Sequence, residues 1–394
     1  MPGRHDPRTE PLTDPAWYAG DTDAGYAALR ADPPVWNDDV GFWALTRHAD
    51  VLAVSRDQAT FCSGRGILLM DIGRDLPEIP GAMLYLDPPD HGRYRKLVLP
   101  AFAPSKVRAM EPIVRGIIVE LLEAGVAPGE AVDIVEAVSV PFPLKVIAGI
   151  LGVSTDDWPR FFDWSEAAIA GATEITDESM AALTEMATYF LELIPGRRAD
   201  PGDDLVSDLA TLEVDGAGLS DDELMMFFGQ LLVAGNETTR NLVSGGLVAL
   251  AERPDEWSRL VADRSLVPTA VEEMLRWTSP VTSFVRTATR DIDVGGVAVA
   301  EGDPLLLVYA AANRDEAAFG PTAASFDVGR DPNPHLAFGF GPHFCLGAGL
   351  ARMEARVLLE ELLDRYGTLE LSGPVERTES GVIAGVRTAT VTLT

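Results

Sequence analysis

The stretch from Ser220 to Leu250 constrains this chain more than any other. Ser220-Asp221-Asp222-Glu223 has the form of a capping box, in which the first hydroxyl and the fourth carboxylate satisfy each other's backbone amides. Apolar residues then recur at helical spacing through Leu224, Phe228, Leu231 and Leu232 to about Leu250. About thirty residues at about 1.5 Å each make a rod of roughly 45 Å, enough to cross a whole domain. Between Met225 and Gly235 the rod is apolar on every side, which predicts that it runs through the middle of the molecule. The rest of the chain must be arranged around it.

That rest reads as mainly α with small β-sheets. Residues 1–16, rich in Pro, Asp and Arg, read as a loosely held leader, and residues 17–394 as one domain. A short β-like run spans Gly41 to Thr46, and helical spacing dominates from there to about residue 275. A second β-rich patch runs from Pro280 to Val308, with alternation from Asp293 to Val299 and an apolar run from Leu305 to Val308. A helix from about Leu346 to Tyr366 and short strands around Thr388 to Leu393 close the chain. No repeat is present, and no linker is long enough to separate domains.

Composition excludes several classes of function. The 61 acidic against 31 basic residues leave a formal charge of -30, which repels nucleic-acid phosphates and anionic membranes. The same excess is an ordinary mark of a highly soluble protein. With Cys62 and Cys345 the only cysteines, a disulfide framework is ruled out and a reducing cytoplasm is expected. No signal-like run opens the sequence and no segment reaches about 20 consecutive apolar residues without a charge, so neither secretion nor membrane insertion is expected.

One of the two cysteines sits in unusual company. Phe338 to Gly347 reads FGFGPHFCLG, three glycines and a proline around Cys345, directly before the helix that begins near Leu346. Backbone amides in such a loop can point at a sulfur, and a helix N-terminus adds to them. A thiolate there is expected to be stabilised and its pKa lowered, which favours metal ligation. A lone cysteine is otherwise more often a small buried hydrophobe. Zinc is disfavoured, because no second cysteine or closely spaced histidine pair accompanies it.

A second constellation lies inside the long helix, at Ala234-Gly235-Asn236-Glu237-Thr238-Thr239. Ala234 and Gly235 are small enough to leave room beside the helix for a flat cofactor or a diatomic ligand. Glu237 and Thr238 place an acid and an alcohol next to that gap, as the activation of dioxygen requires of a proton donor sheltered from bulk water. A threonine in mid-helix also commonly bonds back to a carbonyl one turn earlier, so the pair alone decides nothing.

Phe338, Gly339, Gly341, His343, Cys345 and Gly347 match, position by position, the haem-binding loop of the cytochrome P-450 enzymes, which this chain resembles over nearly its whole length. Six fixed positions would recur by chance on the order of 10⁻⁵ times in such a chain. The resemblance implies the single-domain fold of that family, with haem b held between the long helix and the cysteine loop. It implies Cys345 as the iron ligand, Phe338 packed near the sulfur, His343 donating to a haem propionate, and Glu237 and Thr238 as the proton-relay pair. A thiolate ligand pushes electron density onto iron and favours cleavage of the O–O bond. His91 and Arg95 in DPPDHGRYRK, and Arg286 in Val285-Arg286-Thr287, match the family's propionate partners. Glu273 and Arg276, with Arg330 further on, match a buried Glu–Arg–Arg cluster behind the haem loop.

The same resemblance implies O2 as co-substrate and electrons from NAD(P)H, passed by a ferredoxin reductase and a ferredoxin to a monomeric enzyme. The ferredoxin has a second support. Arg93, Arg95, Lys96, Lys106 and Arg108 follow His91 without an acidic residue, a local reversal suited to an acidic donor. Substrate-facing segments map to Ile67, Leu68, Leu69 and Met70, to Val233, to Val281 and Phe284, and to Ile383, so an apolar pocket is expected, although Asp71, Arg74 and Asp75 lie close by. AGNETTR, LRWTSPV and PNPHLAFGFGPHFCLG look most like actinobacterial enzymes that hydroxylate sterol side chains and related lipids. A tailoring hydroxylase for a polyketide or terpenoid, and a haem protein that uses peroxide without reductive oxygen activation, are the alternatives.

Overall fold

The computed structural model describes residues 6–394 apart from 33, 78, 172–175, 214, 215 and 217. Its organising element is the helix Asp221–Ala251, and the capping box forms as the sequence requires. The Ser220 amide donates to Glu223 Oε2 at 2.8 Å and the Glu223 amide to Ser220 Oγ at 3.2 Å. Leu224, Phe228 and Leu232 in its first half, and Leu242 through Leu250 in its second, are buried apart from Gly245. Helices Pro141–Ile150, Asp177–Ala199 and Val267–Thr278 pack around it, so this rod is the centre of the molecule. Phe190 stacks on Phe228 with 5.6 Å between ring centroids.

The β structure is segregated to the sides. A five-stranded sheet runs in the order Val35–Asn37, Phe42–Leu45, Pro304–Val308, Ser283–Ala288, Phe61–Cys62, with only the second and third strands parallel. Its two faces follow from the period of two. Trp43, Leu45, Leu305 and Leu307 form one packed layer, which Phe284 joins, while Phe42, Ala44, Leu306, Val308 and Val285 form the other. Arg286, paired with Leu305, shares the first face.

Two expectations are corrected. Residues 6–16 are not a loose leader: Leu12 and Thr9 are buried, and Asn37 Nδ2 donates to Thr9 Oγ1 at 3.0 Å. The Asp and Pro residues that suggest a tail instead cap and start two 3₁₀ turns, Pro7–Thr13 and Pro15–Ala19. At the other end the sheet is larger than expected, because Leu369–Arg377 pairs along Val386–Leu393, which also takes up Ala131–Asp133. Gly373 and Pro374 disguise that strand in the sequence, yet a proline is tolerated there because the strand lies on the sheet's edge.

The helix Ala348–Arg365 starts directly after the cysteine loop and lies against Pro104–Gly125. Arg115 bridges Glu111, Glu360 and Glu361, and Arg356 pairs with Glu111 and Glu360, fastening the two helices along their outer sides. No helix among the described residues is long and apolar enough to cross a membrane.

Candidate active site

The cysteine loop is closed by its own backbone. The Cys345 amide donates to Phe338 O at 2.9 Å, Phe344 to Gly341 O at 3.0 Å, and Gly339 to Leu336 O at 2.9 Å. Gly339 and Gly341 hold φ of 66° and 74°, left-handed values that glycine adopts without strain. At Gly341 a Cβ would also come within 2.4 Å of Ser55 O, so the loop's contact with the helix His48–Arg56 depends on the missing side chain.

Cys345 is solvent-exposed, yet protein atoms crowd around its sulfur. Burial pushes its thiol up, while the Gly347 N–H, Arg95 and Arg352 act in the opposite direction. The expected lowering is therefore not seen in the protein alone. The Gly347 amide is the loop's bond to the sulfur that opposes desolvation, and it does not outweigh it.

Four basic side chains converge beside this loop. The His91 and His343 rings lie 4.0 Å apart, and Arg95 and Arg286 each push both histidines below their usual range after burial has done so, His343 down to about 3. Arg95 Nη2 donates to Phe344 O at 2.6 Å and Arg286 Nη1 to Val285 O at 2.8 Å. Gln58 Nε2 and Ser63 Oγ lie 3.0 and 3.3 Å from His343 Nε2. Asp87 acts on His91 in the opposite sense, but its oxygens already accept the amides of Ser63 and Gly64 at 2.8 Å each. A cluster of cations and imidazoles with so little counter-charge suits a ligand bearing carboxylates.

On the central helix, Ala234 is exposed and Thr238 Oγ1 donates to its carbonyl at 2.6 Å. This is the back-bond a mid-helix threonine ordinarily makes; it spends the hydroxyl proton and leaves the oxygen free to accept. Gly235 does not serve the gap beside Ala234. A Cβ there would meet Ile147 Cδ1 at 3.3 Å, so the missing side chain lets the helix Pro141–Ile150 approach instead. Glu237 is pushed up, first by burial and then by Glu166, against the pull of Arg240, whose Nη1 lies 3.2 Å from it. Glu166, half exposed, lies 3.7 Å from the same Arg240 nitrogen, which connects Glu237 to the surface.

The structure brings Glu273, Arg276 and Arg330 together in the interior. Arg276 holds both Glu273 oxygens, at 2.7 and 2.8 Å, and Arg330 Nε reaches Glu273 at 3.1 Å. Their remaining N–H groups go to the carbonyls of Asn313, Thr322, Ala323 and Ser325, so no charge in the cluster is left bare.

The eight expected pocket residues divide. Val281 and Ile383 meet in an isolated antiparallel bridge, Phe284 packs edge-on to Tyr309, and Val233 is half-buried on the central helix. Ile67 is buried and its carbonyl accepts from Val285. Met70 is half-buried. Leu69 packs with Val285 and Val308 on the sheet face opposite Phe284, and Leu68 borders a cavity of about 270 Å³ over Val285 and Thr287. The cause is Asp71, which is buried and accepts the amides of Ile67 and Leu68 at 3.0 and 2.9 Å, folding the segment over that side. The basic run after His91 is also less free than its sequence suggests, since Arg93 pairs with Glu223 at 3.2 Å and Lys106 with Asp208 at 2.7 Å.

Two clusters escaped the sequence reading. Glu354, on the helix after the cysteine, is buried and accepts from Thr239 Oγ1 at 3.3 Å; burial raises it to about 8. Behind Phe338, Arg352 stacks on the ring at 4.6 Å and shares Glu272 with His335, which together hold the Glu272 carboxyl down to about 2 against the opposing effect of burial. A charged residue flanked by apolar ones on an interior helix is the available signal for Glu354.

This donor set fits an iron porphyrin: a sulfur for the metal, four basic groups for two carboxylates, and an open strip of helix beside an alcohol and an acid. The comparisons agree. The family model for cytochrome P450 matches residues 129–388. A methyl-branched lipid omega-hydroxylase of Mycobacterium tuberculosis is 39% identical, the match covering 94% of this chain and 90% of that protein. A steroid C26-monooxygenase of Mycolicibacterium smegmatis is 36% identical over 92% of this chain and 88% of that protein. The crystal structure of CYP109E1 from Bacillus megaterium in complex with testosterone superposes with a TM-score of 0.85 at 34% identity, covering 95% of this chain and 99% of that one. The chain belongs to the cytochrome P450 family of monooxygenases.

Proposed function

We propose that this monooxygenase hydroxylates an apolar lipid or steroid on a haem b ligated by Cys345, with electrons from NAD(P)H passed through a ferredoxin reductase and a ferredoxin. Haem with a thiolate ligand supplies reductive cleavage of O2, one atom entering a C–H bond of the substrate and the other leaving as water. His91, Arg95, Arg286 and His343 hold the propionates. Glu237, raised by burial, holds a proton beside Thr238, while Arg240, which stays protonated, holds it near the half-exposed Glu166, where water from the surface can resupply the proton. Thr238 accepts and orients hydrogen bonds with the oxygen its back-bond leaves free.

The observation that carries this reading is the join between the two halves of the site. Thr239, next to Thr238, bonds to Glu354, nine residues beyond Cys345, so the acid–alcohol pair and the thiolate are registered against each other. A protein that used peroxide would have less need of the Glu237–Thr238 pair. The relatives named for a branched lipid and a steroid, and the apolar bridge of Val281 with Ile383, support a lipophilic substrate. In a reconstituted assay with ferredoxin, reductase and NADPH, Thr238→Ala is expected to consume NADPH near the wild-type rate while product per NADPH falls by roughly tenfold or more. Full product yield in that variant would remove the proposed relay. Cholest-4-en-3-one and a methyl-branched fatty acid are the first substrates to try.

A further inference from the structure

The bridge between Val281 and Ile383 has a second side. Thr282 N donates to Val382 O at 2.8 Å and Ala384 N to Pro280 O at 3.0 Å, so Val281 and Ile383 share one face and Thr282 and Ala384 the other. Thr282 and Ala384 border a cavity of about 530 Å³. It lies between Tyr18 to Tyr26, the last turns of the central helix, the end of Val267–Thr278 and the C-terminal hairpin, with Gly245 and Ala249 among its lining residues. Small-molecule sites commonly measure about 300–1,000 Å³.

Its polar lining is unbalanced. Asn241 is 3% exposed, and its Nδ2 has no hydrogen-bond partner. Arg314 is held by the carbonyls of Arg276 and Trp277 and lies 3.8 Å over the Trp277 ring, yet its buried Nε makes no hydrogen bond; Asp23 is 3.7 Å away. Three acids stand on the rim and each is engaged: Glu252 with Arg253 at 3.1 Å, Asp21 with the Asp23 amide at 3.1 Å, and Asp23 in an ion pair with Arg314 Nε. Asn241 Nδ2 therefore has no protein acceptor in this cavity, and Arg314 Nε has only Asp23, at ion-pair rather than hydrogen-bond distance, so a ligand or water is needed to complete both donors. Burial, and then the neighbouring Arg276, hold the Arg314 cation below its ordinary range, against the opposing pull of Asp23 and Glu273.

We propose that this cavity is a second small-molecule site, separate from the one over Cys345, that takes an organic anion: a carboxylate on a compact apolar body, bound by Asn241 Nδ2 and Arg314 Nε. Because one wall is the back of the Val281–Ile383 bridge, an occupant bears on the position of Ile383 and hence on the neighbouring substrate pocket. The probe is 4-bromobenzoate, titrated into the holoenzyme by calorimetry and located in co-crystals by the anomalous signal of bromine. Expected are saturable binding, bromine inside the cavity, and affinity weaker by about tenfold in Asn241→Leu, whose haem spectrum stays that of the wild type. Ala384→Phe, which fills the cavity from its partly exposed rim, is expected to abolish binding. Bromine found only on the Ala234 side of the central helix, unchanged affinity in both variants, or no saturable heat in the wild type would each overturn the proposal.

Discussion

Cys345 shows how far a single residue can be read from its neighbours. The glycines predict a tight loop, and Gly339 and Gly341 take up the left-handed conformations such a loop needs. The thiol's own level was not legible, because desolvation depends on how deeply the loop is set, a tertiary quantity. Glu354 is the sharper case. Within LARMEA it looks like any charged residue on a helix, and only the packing of that helix against Thr239 reveals its burial. Its consequence is testable. In the unfolded chain the carboxyl releases its proton near pH 4.5, while in the folded chain it keeps it until about pH 8. Between those values the native state binds one proton more, so stability falls as pH rises and levels off above the folded pKa. Glu354→Gln removes that slope. The difference in Tm between variant and wild type should grow from pH 5 to pH 8, corresponding to about 1–3 kcal/mol; a constant difference would show that Glu354 does not titrate as described.

At the scale of elements, periodicity and caps carried most of the information. The central helix begins at its capping box, and the helix after the cysteine lies close to its expected bounds. What failed were elements defined by partners: Leu369–Arg377 needs Val386–Leu393 to be a strand, and Leu68 and Leu69 are turned away from Phe284 by Asp71, a bond no spacing rule anticipates. The Glu273–Arg276–Arg330 cluster joins the helix Val267–Thr278 to the segment that leads into the cysteine loop. Its acid and first arginine sit at an ordinary helical spacing, so only the family likeness separated it from a surface pair. Since all three groups are buried, Arg330→Met leaves a carboxylate short of a partner and should cost about 3–5 kcal/mol of stability, with haem lost at a lower temperature than in the wild type. Chemical denaturation showing a cost under about 1 kcal/mol would place the cluster in effective contact with water.

For the whole molecule, the excess of acid makes the basic face around the haem loop significant, but the structure narrows which charges matter. Arg93 and Lys106 form ion pairs with Glu223 and Asp208, and Lys96, Leu99 and Arg108 are exposed, as is Phe344 on the cysteine loop. Lys96→Glu combined with Arg108→Glu should slow reduction by ferredoxin by roughly tenfold at low salt, with the difference shrinking as salt rises, and leave the haem spectrum intact. Unchanged reduction kinetics would move the docking face elsewhere.

The proposed activity rests on one claim, that Cys345 gives its sulfur to a haem iron. The direct measurement is the absorption spectrum of the reduced, carbon monoxide-bound protein, recorded for the wild type and for Cys345→His, with haem content measured alongside. A strongly red-shifted Soret band in the wild type, replaced in a haem-containing Cys345→His by a band at the position given by imidazole ligation, is the predicted result. A wild-type band without the shift, or the same shifted band in the variant, would contradict it.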